Sequence, residues 1–119
     1  MLDNMKKVFN FSIKEVKDFR TKIYCFDLDK TLCTAEENYA DAKPLKDRIL
    51  KVNKLYKKGY TILIDTARGS KTGIDYQKMT EEQLKEWGVK YHKLRTGVKM
   101  FANYYIDDKG ISDKQFFHD

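Results

Sequence analysis

Two short apolar, β-rich runs, residues 22–27 and 60–65, each end on a carboxylate and are separated by a stretch with a helical period. Within that stretch Pro44 stands at a favourable first helical position, Leu45, Ile49, Val52 and Leu55 recur along one face, and Gly59 ends the element. Strands joined through a helix are parallel neighbours, because an antiparallel pair needs only a tight turn whereas a parallel pair needs a crossover. The pattern then repeats. A Gly-containing polar loop runs from Thr66 to about Met79, Thr80 with Gln83 reads as a capping box, Leu84 and Trp87 supply an apolar face, and Gly88 stops the helix. Further strands are predicted at 89–94 and 103–106. The expected fold class is α/β, with three α/β/α layers around a central, Rossmann-like parallel sheet.

A chain of 119 residues, 41% of them apolar, buries one core and has no room for a second. Residues 1–21 read as an N-terminal extension in which Ile13, Val16 and Phe19 predict a short amphipathic helix over 12–20, and residues 22–119 as the single domain. The formal charge of +6 favours anionic ligands: sugar phosphates, nucleotides or nucleic acid. The densest basic cluster, Lys51, Lys54, Lys57 and Lys58, lies on one predicted helix and reads as a solvated face. Cys25 and Cys33 fit neither a disulfide framework nor a Cys-x-x-Cys motif, and are expected to be free thiols. No segment has the apolar length of a signal peptide or a membrane span, so the expected location is the cytoplasm, without membrane contact.

The chemistry gathers at the strand ends. Side chains alternate along an extended segment, so Asp27 and Asp29 lie on one side, followed by Thr31. In an open parallel sheet the ligand site lies beyond the carboxyl ends of the strands. Those ends carry Asp27 and Asp29, then Thr66, then Asp107 and Asp108, with Lys99 just before the last strand. Each residue alone has a plainer reading. An Asp-x-Asp follows many strands, Thr66 suits a turn, and Lys99 is one lysine among many; their order along the chain gives them weight.

The run Asp27, Leu28, Asp29, Lys30, Thr31 resembles the first signature of the haloacid dehalogenase superfamily. Thr66 is similar to the second, Lys99 to the third, and Asp107 with Asp108 to the acidic fourth. The resemblance spans roughly residues 22–113. The step Thr66, Ala67, Arg68 and the ending Tyr105 to Lys109 further resemble small phosphatase-like members associated with capsule or surface-polysaccharide synthesis. The resemblance implies a magnesium-dependent phosphatase in which Asp27 is the nucleophile and Asp29 the general acid and then base. It implies Mg²⁺ held by Asp27, Asp107, Asp108 and the backbone carbonyl of Asp29. Thr66 and Lys99 would bind the phosphoryl oxygens with help from the backbone amides of Leu28 and Ala67, and Arg68 is a further substrate-binding candidate. Lys93 and Arg95 are rivals for the role of Lys99, and Asp107 is favoured over Asp108 as the primary ligand.

Family members carry cap domains in two places. Here 32–43 and 67–79 are both too short to fold as domains, which leaves an open, capless site that either admits a large substrate or is closed by a neighbouring subunit of a homo-oligomer. Three functions follow: hydrolysis of a small phosphorylated metabolite such as a sugar phosphate; hydrolysis at nucleic-acid ends, which the charge permits but no nucleic-acid module favours; and a non-enzymatic phospho-acceptor of the receiver type. The last ranks lowest, because the acidic pair Asp27 and Asp29 belongs to the first core strand. His92 and His118 have no second ligand at metal spacing, which argues against zinc. Trp87, Tyr104 and Tyr105 read as core residues.

Overall fold

The computed structural model describes residues 22–97, 104–107 and 111–118. The helix expected over 12–20 and the residues Lys99 and Asp108 lie outside them. Strands β1 (Ile23–Asp27), β2 (Thr61–Thr66), β3 (Lys93–Thr96), β4 (Tyr104–Asp107) and β5 (Ile111–Ser112) form one sheet in the order β3-β2-β1-β4-β5. Every pairing is parallel. Among the described residues three α-helices accompany the sheet in a small α/β domain: α1 (Lys46–Lys57), α2 (Gln77–Glu86) and α3 (Asp113–Phe117). The strand order reverses at β1, whose two neighbours are β2 and β4, so the topological switch point of the sheet lies between β1 and β4.

All six residues of β2 are buried, as expected of a parallel strand shielded from solvent on both faces. Phe26, Ile62, Ile64 and Ile106 join Ile49 and Val52 of α1 and Leu84 of α2 in one core. Replacing fully buried Phe26 by Ala would cost about 3–5 kcal/mol. Helices α1 and α2 stop in the same way. Gly59 and Gly88 adopt left-handed backbone at φ 96° and 71°. Their amides bond to Tyr56 and Lys85, while the next residues, Tyr60 and Val89, bond back to Leu55 and Leu84. These are Schellman closures, which need a residue without a Cβ at the left-handed position.

Four expectations are corrected. Pro44 is not helical; it bridges Cys33, and α1 begins two residues later. Thr80 and Gln83 do not open a helix, since α2 begins at Gln77 and both side chains are buried inside it. The third strand is not 89–94 but Lys93–Thr96, because Val89 is spent closing α2 and His92 is spent on Ile62. Its Nδ1 accepts the Ile62 amide at 3.0 Å and its ring stacks on Tyr56. Finally, β5 and α3 lie beyond the last predicted strand. Helix α3 is fastened to α1 by Arg48 with Asp113 and by the Lys51 ammonium over the Phe116 ring at 4.2 Å.

Candidate active site

The chain leaves β1 at Asp27 and turns at once. The carbonyl of buried Leu28 accepts from the amides of Thr31, Leu32 and Cys33, and Lys30 takes a left-handed conformation at φ 71°. This knot fixes Asp29 at the carboxyl edge of the sheet. The register of β1 on β2 sets Asp27 opposite Asp65, so Thr66 is the next residue along that edge. On the other side Phe26 pairs with Ile106, which makes Asp27 and Asp107 the following residues of two adjacent strands, at the switch point. Asp27, Asp29, Thr66 and the backbone of Asp107 are therefore brought to one edge by strands far apart in sequence. Lys99 and Asp108 lie outside the described residues, as does the side chain of Asp107.

Thr66 is buried, and its Oγ1 accepts the amide of Arg68 at 3.2 Å. That bond directs the Thr66 hydroxyl hydrogen elsewhere and folds the chain into the loop 67–76. Ala67 is exposed at the start of this loop. Arg68 is not: its side chain is fully buried. Its Nε donates to Asp29 Oδ2 at 3.0 Å and one terminal nitrogen to Asp29 Oδ1 at 2.8 Å, a bidentate fork. The other terminal nitrogen donates to Gln83 Oε1 at 2.6 Å and Thr80 Oγ1 at 3.3 Å. A weak contact to the Cys33 sulfur at 3.9 Å accounts for the fifth N–H. Arg68 is thus committed to protein partners, unlike the phosphate contact that its loop position suggests.

The guanidinium also lies 4.7 Å above the Tyr39 ring, and Gln83 Nε2 donates to the Tyr39 carbonyl at 2.7 Å. Tyr39 belongs to a single 3₁₀ turn, Tyr39–Asp41, and its ring meets that of Tyr76 edge to face at 4.9 Å. Beside Asp29 a cavity of 340 Å³ opens, lined by Tyr39, Tyr76, Gly69, Ser70, Lys71 and Thr72 among others. Its wall is set by Gly69: at φ 85°, a Cβ there would stand 2.1 Å from the Ile74 carbonyl oxygen. Both cysteines are buried, and neither is in a disulfide. Burial and the Asp29 carboxylate push the Cys33 thiol up to about 12, against the opposing pull of Arg68.

Among the described residues no three His, Cys, Asp or Glu side chains converge as a metal cluster. Adjacent strands nonetheless place the backbones of Asp27 and Asp107 side by side, and aspartates at two such positions are the type of oxygen donor that a hard cation takes. With both Asp29 oxygens engaged by Arg68, a contribution of that residue to a metal would come from its backbone carbonyl. Sequence reading missed Gln83, Thr80 and Tyr39 as members of the site, along with the buried Asp65 beside Asp27. An Asp facing Asp27 in register was the one available signal.

No helix of the described residues is long and apolar enough to cross a membrane. No family model matches the chain, and no curated protein matches it. Solved structures do. A structural-genomics target from Vibrio cholerae is similar over 82% of this chain and 88% of its own, with 26% identity and a TM-score of 0.66. A chain of the Pnkp1/Rnl/Hen1 complex is similar over 86% of this chain, with 20% identity and a TM-score of 0.53. The present chain covers 36% of that longer one, so this second likeness is one of fold.

Proposed function

We propose that this chain is a magnesium-dependent phosphomonoester hydrolase of the haloacid dehalogenase type, a three-layer core without a cap, acting on a small phosphorylated metabolite. The observation that carries the reading is the meeting of Asp27, Asp29 and Thr66 at the carboxyl edge of a parallel sheet, beside the switch point that Asp107 shares.

The residues divide the work as follows. A carboxylate oxygen of Asp27 attacks phosphorus, and the bond from phosphorus to the leaving oxygen breaks as Asp29 gives that oxygen its proton. Arg68 takes one lone pair from each Asp29 oxygen and the Cys33 thiol donates to Oδ1 at 3.5 Å, which leaves the second lone pair of Oδ2 to carry the proton. Water then attacks the aspartyl phosphate and loses its proton to Asp29, while the bond from phosphorus to Asp27 breaks and releases phosphate. The Thr66 hydroxyl, Lys99 and the amides of Leu28 and Ala67 would hold the phosphoryl oxygens as charge develops on them. Mg²⁺ would be held by Asp27, Asp107 or Asp108 and the Asp29 carbonyl, and when bound would neutralise the carboxylates and polarise the phosphoryl group.

The test is release of phosphate from para-nitrophenyl phosphate, sugar phosphates and nucleotides, with and without Mg²⁺. Metal-dependent turnover lost in Asp27→Asn supports the reading. Absence of turnover on the whole panel by a folded, Mg²⁺-loaded chain counts against it. Turnover confined to phosphorylated oligonucleotide ends would favour the alternative that the +6 charge permits.

A further inference from the structure

Arg68 ties three parts of the molecule together. Its guanidinium is buried and gives a two-pronged fork to Asp29, while its remaining terminal nitrogen is gripped by Gln83 and Thr80 from α2. Gln83 uses both ends of its amide. Its oxygen accepts from Arg68 at 2.6 Å and its nitrogen donates to the Tyr39 carbonyl at 2.7 Å, so one side chain joins α2, the Arg68 loop and the Tyr39 turn. The Tyr39 ring packs under the same guanidinium and lines the cavity beside Asp29. A flexible carboxylate at a loop has two free torsions; a planar fork held at its far end leaves it neither.

We infer that Gln83 and Arg68 are positioning residues that fix the Asp29 carboxyl group for proton transfer to the leaving oxygen, with Tyr39 carrying that constraint to the wall of the leaving-group cavity. The inference deepens the proposed hydrolase and rests on it. Neither residue touches the phosphoryl group in this role. Their effect is expressed through Asp29, and so depends on how much the leaving group needs a proton.

That dependence separates positioning from mere structural support. A nitrophenolate leaves readily without a proton, whereas an alkoxide such as that of glycerol phosphate does not. In Gln83→Leu and Arg68→Lys, kcat/KM for glycerol phosphate, which reports formation of the aspartyl phosphate, is expected to fall about 100-fold, the scale of general acid catalysis, with kcat/KM for para-nitrophenyl phosphate falling far less, because water activation by Asp29 comes after that step. Arg68→Lys keeps the charge and loses the fork, so its failure to rescue would assign the effect to geometry. Equal losses for both esters, or no loss for either, would overturn the inference, with circular dichroism certifying that each variant is folded.

A readout independent of turnover is the Arg68 Nε–H resonance in ¹⁵N spectra, expected to exchange slowly with solvent in the wild type and fast in Gln83→Leu. If the wild type cleaves neither ester, the hydrolase reading falls and the proton-transfer role falls with it; the resonance then decides the clamp alone, which equal protection in both proteins overturns and protection lost in the variant upholds.

Discussion

Arg48 reaches across 65 positions to Asp113, its terminal nitrogen 2.8 Å from the carboxylate, and the same nitrogen donates to the Thr31 carbonyl at 3.0 Å. One guanidinium therefore fastens both the loop that carries Asp29 and the helix that closes the described chain. Asp113→Ala removes this charged partner from the largely buried Arg48, and a loss of about 2–4 kcal/mol follows. Urea unfolding measures it, and Arg48→Met with Asp113→Ala should lose less than the two single variants summed.

Gly69 cannot take a side chain where it stands. Its φ of 85° favours glycine, and a Cβ would overlap the Ile74 carbonyl oxygen. Gly69→Ala must unfold the loop 67–76 locally, at about 1–2 kcal/mol for the backbone alone, and that loop lines the cavity beside Asp29. Buried Arg68 is the preceding residue, so the expected result is a drop in thermal midpoint with a raised KM and a lowered kcat, the latter through the loosened fork on Asp29.

Cys33 gives the alkaline limb of stability its sign. Its ordinary value of 9.0 applies to the unfolded chain, and in the folded chain burial, then Asp29, raise it to about 12. Below 9 both states hold the proton and the contribution is complete. Between about 9 and 12 the unfolded state releases its proton while the native state keeps it, and stability falls by about 1.4 kcal/mol per pH unit. Tyr91, raised by burial and then by Glu81, acts with the same sign, so the measurement is the difference between wild type and Cys33→Ser in metal-free buffer. At pH 8 the folded chain should resist iodoacetamide at Cys33 and become reactive only on unfolding.

The parallel sheet was legible because its signals are local. Apolar runs ending in Asp27 and Asp65, and the stops at Gly59 and Gly88, are written in adjacent residues and survive in β1, β2, α1 and α2. What failed did so where a distant partner claimed the residue. Thr80 and Gln83 match a capping box in sequence, but Arg68 needs acceptors in its buried pocket, and α2 extends a turn earlier to deliver them. Val89 looks like a strand residue until the closure of α2 takes it. The two residues of β5 are too few to carry a period. For the site, Asp27, Asp29 and Thr66 could be read from strand ends alone. The clamp on Asp29 could not, because its parts are 39 and 15 positions apart from Arg68 and meet only through the fold.

The two aspartates of the first loop should separate cleanly in transient kinetics. On the proposed mechanism Asp27 forms the aspartyl phosphate, and Asp29 is needed to protonate a poor leaving group and then to take a proton from water. With para-nitrophenyl phosphate the first need vanishes, because nitrophenolate departs unprotonated, but the second remains. Asp29→Asn mixed with this ester and Mg²⁺ should therefore release a burst of nitrophenolate approaching one per chain, followed by turnover slower by about 10²-fold or more, with phosphate held on the protein. Asp27→Asn should give no burst and lose about 10³-fold or more in rate. Quenched-flow with mass measurement of the denatured chain reads both. A mass gain of one phosphoryl group in Asp29→Asn, absent from Asp27→Asn, is the expected signature, and a burst in Asp27→Asn would move the nucleophile elsewhere on the sheet edge.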